Sequence, residues 1–145
     1  MKIPKILLAF ACLASAGLSA ADQAAAGPRG GRLLEATPLR AEFFVTKERR
    51  IEIVFLDASR RPVAPGEREV AVTAELPAGR TPIALEKTAT GFASPAPFPA
   101  AAESARVVVQ IREKPGARPQ NFRLDLKLEP CGECKLAEYA CTCSH

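Results

Sequence analysis

The stretch Asn121-Phe122-Arg123-Leu124-Asp125-Leu126-Lys127-Leu128 alternates polar and apolar residues without a break. A period of two is the repeat of a half-buried β-strand, because successive side chains point to opposite faces. Phe122, Leu124, Leu126 and Leu128 are therefore expected on one face, with Arg123 and Asp125 facing solvent. The same pattern recurs upstream. Val107, Val109 and Ile111 alternate with Val108 and Gln110, and Val70, Val72, Ala74 and Leu76 alternate with Glu69, Ala71, Thr73 and Glu75. Ile51, Ile53 and Phe55 share a side of another strand. Val54 and Leu56 make that strand apolar on both faces, which predicts a central place in its sheet. Ala41, Phe43 and Val45 form a further strand, the pattern begins near Leu33, and Ile83 and Leu85 mark a short strand ending near Lys87.

Turn signals separate these runs: Asp57-Ala58-Ser59-Arg60-Arg61-Pro62, Pro77-Ala78-Gly79 and Pro115-Gly116. Residues 93–102 hold Pro95, Pro97 and Pro99 and read as a loop or edge segment, since proline has no N–H for the ladder. The expectation is an all-β protein: one antiparallel immunoglobulin-like sandwich of about seven strands over residues 31–129. A small closed barrel is the competing architecture. Phe43, Ile53, Phe55, Val72, Val107, Val109, Phe122, Leu124 and Leu126 are the expected core. The chain has 13 prolines, 9 glycines and no tryptophan, which suits short strands and many turns better than a helical bundle.

The ends differ from the middle. Lys2 and Lys5 precede an apolar run from Ile6 to Leu18, and Ser19-Ala20-Ala21 supplies small residues before Asp22. Residues 1–21 read as a secretory signal, with cleavage after Ala21 or, alternatively, after Ala16. Cys12 leaves with it. The apolar run is shorter than the about 20 residues a spanning helix needs, so no membrane span is expected after cleavage. Residues 22–30 show no periodicity and read as a flexible leader. The expected location is periplasmic or secreted.

Charge excludes a nucleic-acid role. The net charge of +4 falls to about +2 once Lys2 and Lys5 are removed. The dense basic spots, Arg49-Arg50 and Arg60-Arg61, flank one strand pattern and read as its solvated ends. No catalytic set is apparent either. Glu69, Glu75 and Asp125 lie on polar strand faces, and the one histidine, His145, is the last residue. A non-enzymatic protein is expected.

The runs Gly30-Gly31-Arg32-Leu33-Leu34, Ala41-Glu42-Phe43-Phe44-Val45, Ile51-Glu52-Ile53-Val54-Phe55-Leu56-Asp57 and Arg61-Pro62-Val63 resemble small immunoglobulin-like periplasmic domains associated with bacterial heavy-metal efflux proteins. Those domains often open with His-Gly-Gly, where this chain has Arg29-Gly30-Gly31 and lacks that imidazole. The resemblance covers about the first third of the mature domain. It implies a sandwich, an envelope location and proximity to metal chemistry.

The chemistry is concentrated in the tail, residues 130–145. Cys131, Cys134, Cys141 and Cys143 lie there with His145. Thiolates are soft ligands, and Cys131-Gly132-Glu133-Cys134 lets two sulfurs hold one ion from a tight turn, which Gly132 is expected to relax. Cys141 and Cys143 offer two more sulfurs, and His145 an imidazole. Four thiolates suit zinc, and two or three suit copper(I). Met1 is the only methionine, which excludes a methionine-based copper site. The segment 135–140 is long enough to return the second pair to the first and to form about one helical turn. An exported chain can instead close its tail with two disulfides, as a structural or interaction domain. A redox-active Cys131–Cys134 pair is the third option. The expected partner is a metal ion, with an envelope protein left open as a second. The tail is expected to lie outside the sandwich core.

Overall fold

The computed structural model describes residues 25–102 and 104–143. The signal read over residues 1–21, with Cys12, and the last residue His145 lie outside the described residues. Among the described residues, nine strands form two antiparallel sheets. β1 (Arg32–Ala36), β2 (Leu39–Val45), β3 (Ile51–Phe55), β6 (Glu86–Lys87) and β7 (Gly91–Ala93) make one sheet in the order β1-β2-β3-β7-β6. β4 (Glu69–Leu76), β5 (Gly79–Ile83), β8 (Arg106–Arg112) and β9 (Gln120–Asp125) make the other in the order β5-β4-β8-β9. With β2, β3, β7 and β6 as strands A, B, E and D, and β4, β8 and β9 as C, F and G, this is immunoglobulin-like topology. β1 is added before A, and β5 is added beside C.

The alternation expected from the sequence builds the core. Phe43, Ile51, Ile53 and Phe55 from one sheet meet Val72, Val107, Val109 and Ile111 from the other, all at 1% exposure or less. β3 is central, as its two apolar faces predicted. Its outward Val54 packs with Leu33 and Leu56 in a second, smaller cluster.

Three local readings change. Phe122 is only half-buried, because β9 is the outer strand of its sheet and Phe122 lies near the strand's start. The strand expected to run on to Leu128 ends at Asp125. Leu126 is fully buried, but its N–H donates to Ala105 O at 2.9 Å, away from the ladder. The single strand expected over Ile83 and Leu85 is two strands in different sheets. β5 ends at Ile83, the chain crosses over at Ala84-Leu85, and β6 begins at Glu86. Pro82 is tolerated because β5 is an edge strand.

Two short strands add to the expected seven. β7 reaches β3 because residue 91 is glycine, whose added Cβ would stand 1.8 Å from Ile53 O. The proline segment beyond β7 is a loop. It lays Phe98 on the core at 3% exposure, with its N–H bonded to Arg49 O at 2.9 Å. Of the paired arginines flanking β3, Arg50, Arg60 and Arg61 are exposed, while Arg49 is half-buried beside the Phe98 ring.

Residues 25–30, read as leader, pack against β1 and β2. Leu33 N–H donates to Ala25 O at 2.8 Å, and Gly27 N–H to Gly31 O at 2.8 Å. The buried Glu42 carboxylate holds this turn, accepting the N–H groups of Arg29 at 2.9 Å and Gly31 at 2.8 Å on Oε1. Arg29-Gly30-Gly31 is thus a turn closed over a carboxylate. No helix among the described residues is long and apolar enough to cross a membrane.

Candidate metal centre

Beyond β9 the chain leaves the sheet and returns on itself. Pro130 bridges Ala137, Glu138 N–H donates to Glu129 O at 2.9 Å, and Tyr139 N–H donates to Lys127 O at 3.0 Å. The tip of this hairpin is the segment from Cys131 to Leu136. Cys131 N–H donates to Leu136 O at 2.7 Å, and Lys135 N–H to Cys131 O at 3.3 Å. Such a turn needs one left-handed residue, and it is Lys135, at φ 61°. Gly132 does not supply it. Gly132 has an ordinary φ and open space around it, so the expectation that it relaxes the turn is corrected.

The return arm enters the sandwich. Tyr139 is 6% exposed and Ala140 is fully buried, both within the main core cluster. The Tyr139 ring meets Phe43 edge-on at 5.7 Å between centroids, and its hydroxyl accepts Val45 N–H at 3.0 Å. Burial raises the Tyr139 pKa, keeping the hydroxyl neutral. The expectation of a tail outside the core is therefore corrected. The physical reason is Tyr139, the one tyrosine, which fills space at the open end of β2. The single turn of helix expected in the linker is a 3₁₀ turn, Glu138–Ala140.

Seating Tyr139 and Ala140 carries Cys141 back to the knuckle. Cys131, Cys134, Cys141 and Cys143 converge, with all four sulfurs within 4.8 Å of one another. Cys141 Sγ stands 3.2 Å from Cys131 Sγ and 3.7 Å from Cys134 Sγ, and Cys131 and Cys143 are 4.0 Å apart. A regular tetrahedron around an ion at about 2.3 Å places its sulfurs about 3.8 Å apart. The observed separations bracket that value. All four are free thiols, and the observed separations exceed the about 2.05 Å of a sulfur–sulfur bond. Cys131 and Cys141 are buried, while Cys134 and Cys143 are partly open to solvent.

The backbone prepares two of the sulfurs for charge. The N–H groups of Cys134 and Glu133 point to Cys131 and lower its pKa. The Leu136 N–H does the same for Cys134, lowering it to about 7. Cys143 N–H lies 3.3 Å from Cys141 Sγ and favours that thiolate. The Cys131 thiol, burial and Cys134 outweigh it, and the Cys141 pKa rises. Burial, with the three neighbouring thiols, raises Cys143. The knuckle pair thus ionises first. Adding two more negative sulfurs without a cation is unfavourable, and a bound divalent ion would remove that penalty.

Of the five expected ligands, the structure brings the four cysteines together, and the fifth, His145, lies outside the described residues. Sequence reasoning missed Lys135, Leu136 and Tyr139. Only Tyr139 carried a signal, as the single tyrosine between the two cysteine pairs. No family model, no curated protein and no solved structure matches the chain.

Proposed function

We propose that this is an exported, non-enzymatic protein whose C-terminal cysteines bind one zinc ion. The observation that carries the reading is the mutual approach of four free thiols within 4.8 Å. Zinc has no geometric preference of its own and takes four thiolates in a tetrahedron. Copper(I) is served by two or three sulfurs, so convergence of all four favours zinc over it. When bound, the ion would hold the knuckle and the 141–143 segment together, and the backbone N–H groups aimed at the sulfurs would stabilise the thiolates. Export rests on the charged start, short apolar run and small residues of positions 1–21. An envelope setting and the likeness to domains found with heavy-metal efflux proteins agree with a metal-handling role.

The test is to purify the protein anaerobically from the envelope fraction. Thiols are counted after denaturation with chelator, and bound metal is measured by elemental analysis. Four thiols with about one equivalent of zinc support the reading. One equivalent of copper would replace zinc and keep the site. No thiols and no metal would overturn it in favour of a disulfide-closed tail. An N-terminus near Asp22 by mass spectrometry supports export, and an intact Met1 on the soluble protein counts against it.

A further inference from the structure

Lys135 and Leu136 follow Cys134 directly, and they form one wall of a groove of about 390 Å³. The opposite walls are the end of β2, the β2–β3 turn and the Arg29-Gly30 turn. Its apolar surface comes from Phe44, Val45, Leu128 and Leu136. Its charged lining is of one sign: Arg29, Lys47, Arg49 and Lys135, with no aspartate or glutamate among the described lining residues. Arg29 pairs with Glu52 and lies 4.2 Å from the Phe44 ring centroid, while Lys47 and Lys135 are exposed. A positive rim over an apolar floor attracts an anion and desolvates an apolar side chain on the same ligand.

Arg49 is turned onto the Phe98 ring, and the exposed Lys47 and Lys135 come from separate segments of the chain, so a ligand with several carboxylates can meet both where a single small anion cannot. None of the four cysteines lines the groove, but Lys135 and Leu136, which do, follow Cys134 directly in the chain. The Leu136 carbonyl accepts the Cys131 N–H at 2.7 Å, tying the groove wall to the first cysteine pair. An occupant seated against residues 135–137 therefore contacts the return arm that connects the two cysteine pairs. We propose that this groove docks an acidic segment carrying an apolar anchor, on the protein that exchanges metal with the cysteine site. The inference rests on the metal reading above.

The experiment uses the full mature chain loaded with zinc. The probe is a labelled, capped hexapeptide with one Leu-Phe pair between two acidic pairs, titrated by fluorescence anisotropy. The comparators are the analogue with lysine at each acidic position, and octanoate. Zinc content is measured on every sample. The acidic peptide should bind, and binding should weaken as salt rises through the range where the screening length falls below about 10 Å. Lys47→Glu, remote in sequence from the thiols, and the Lys47→Glu/Arg29→Gln double variant should retain zinc, with the double variant losing roughly tenfold in peptide affinity. Equal binding of the basic analogue, octanoate binding as tightly as the peptide, or unchanged affinity in both variants would overturn the proposal. Zinc retained without peptide binding overturns this inference alone. An unsubstituted protein that takes up neither zinc nor copper overturns the metal reading beneath it.

Discussion

Tyr139 joins the tail to the sandwich by two different interactions. Its ring packs edge-on to Phe43, and its hydroxyl accepts the Val45 N–H at the end of β2. Tyr139→Phe keeps the ring and removes the acceptor, leaving a partly buried N–H without its partner. The expected cost is about 1–3 kcal/mol, read from urea unfolding of the zinc-loaded protein. An unchanged midpoint would mean that water replaces the hydroxyl at no cost. Cys134 differs in kind. It is partly exposed at the tip of the hairpin, so Cys134→Ser removes one of the four clustered thiols without opening the core. Zinc affinity should fall by more than about 100-fold, the upper range for changes one shell further out. Far-ultraviolet circular dichroism should keep its β-sheet signature. Loss of the β signature would show that the knuckle is needed for folding, not only for the ion.

Two glycines that look alike in the sequence have opposite roles in their elements. Gly31 lies under the turn closed by Glu42, and an added Cβ would stand 2.3 Å from Phe43 O and 3.1 Å from Glu42 Cγ. Gly132 lies in the cysteine knuckle with nothing within 4 Å of the same position. Gly31→Ala should therefore cost about 1–3 kcal/mol by forcing the turn off β2. Gly132→Ala should stay within about 0.5 kcal/mol. Urea midpoints of the two variants compare them directly, and equal midpoints would refute the contrast. The case also marks what was legible. Alternation placed Phe43, Ile53, Val72, Val107 and Leu124 inward because a period of two reports one buried face. It could not place the end of β9, because Leu126 and Leu128 continue the alternation while their backbone has left the ladder. Cysteine spacing nominated the four sulfurs. It could not show that Lys135, not Gly132, takes the left-handed backbone, because any residue can be forced there when the surrounding bonds demand it. Nor did the acidic residue Glu42 announce its burial, which depends on a turn from a different part of the chain.

At the scale of the whole molecule, the cysteine site and the core are one structure. The residues that carry Cys141 to the knuckle, Tyr139 and Ala140, are themselves core residues. An ion that holds Cys131, Cys134, Cys141 and Cys143 together therefore also holds Tyr139 against Phe43. Binding to the folded state alone stabilises it by about 2.7 kcal/mol at free metal one hundred times the dissociation constant. Removing zinc with a strong chelator under reducing conditions should lower the melting temperature of the entire sandwich, in one transition. A tail lying outside the core would instead leave that transition unmoved. The pH dependence has a definite sign. With an ion bound, the fold would hold its sulfurs as thiolates and so bind fewer protons than the unfolded chain, whose thiols have a pKa of about 8.5. The metal-dependent stability is therefore greatest at neutral and higher pH and is lost as pH falls and protons displace the ion. The melting temperatures of loaded and chelated protein should converge on acidification. A constant gap between them down to pH values where thiolates cannot persist would mean that the four sulfurs are not what holds the metal.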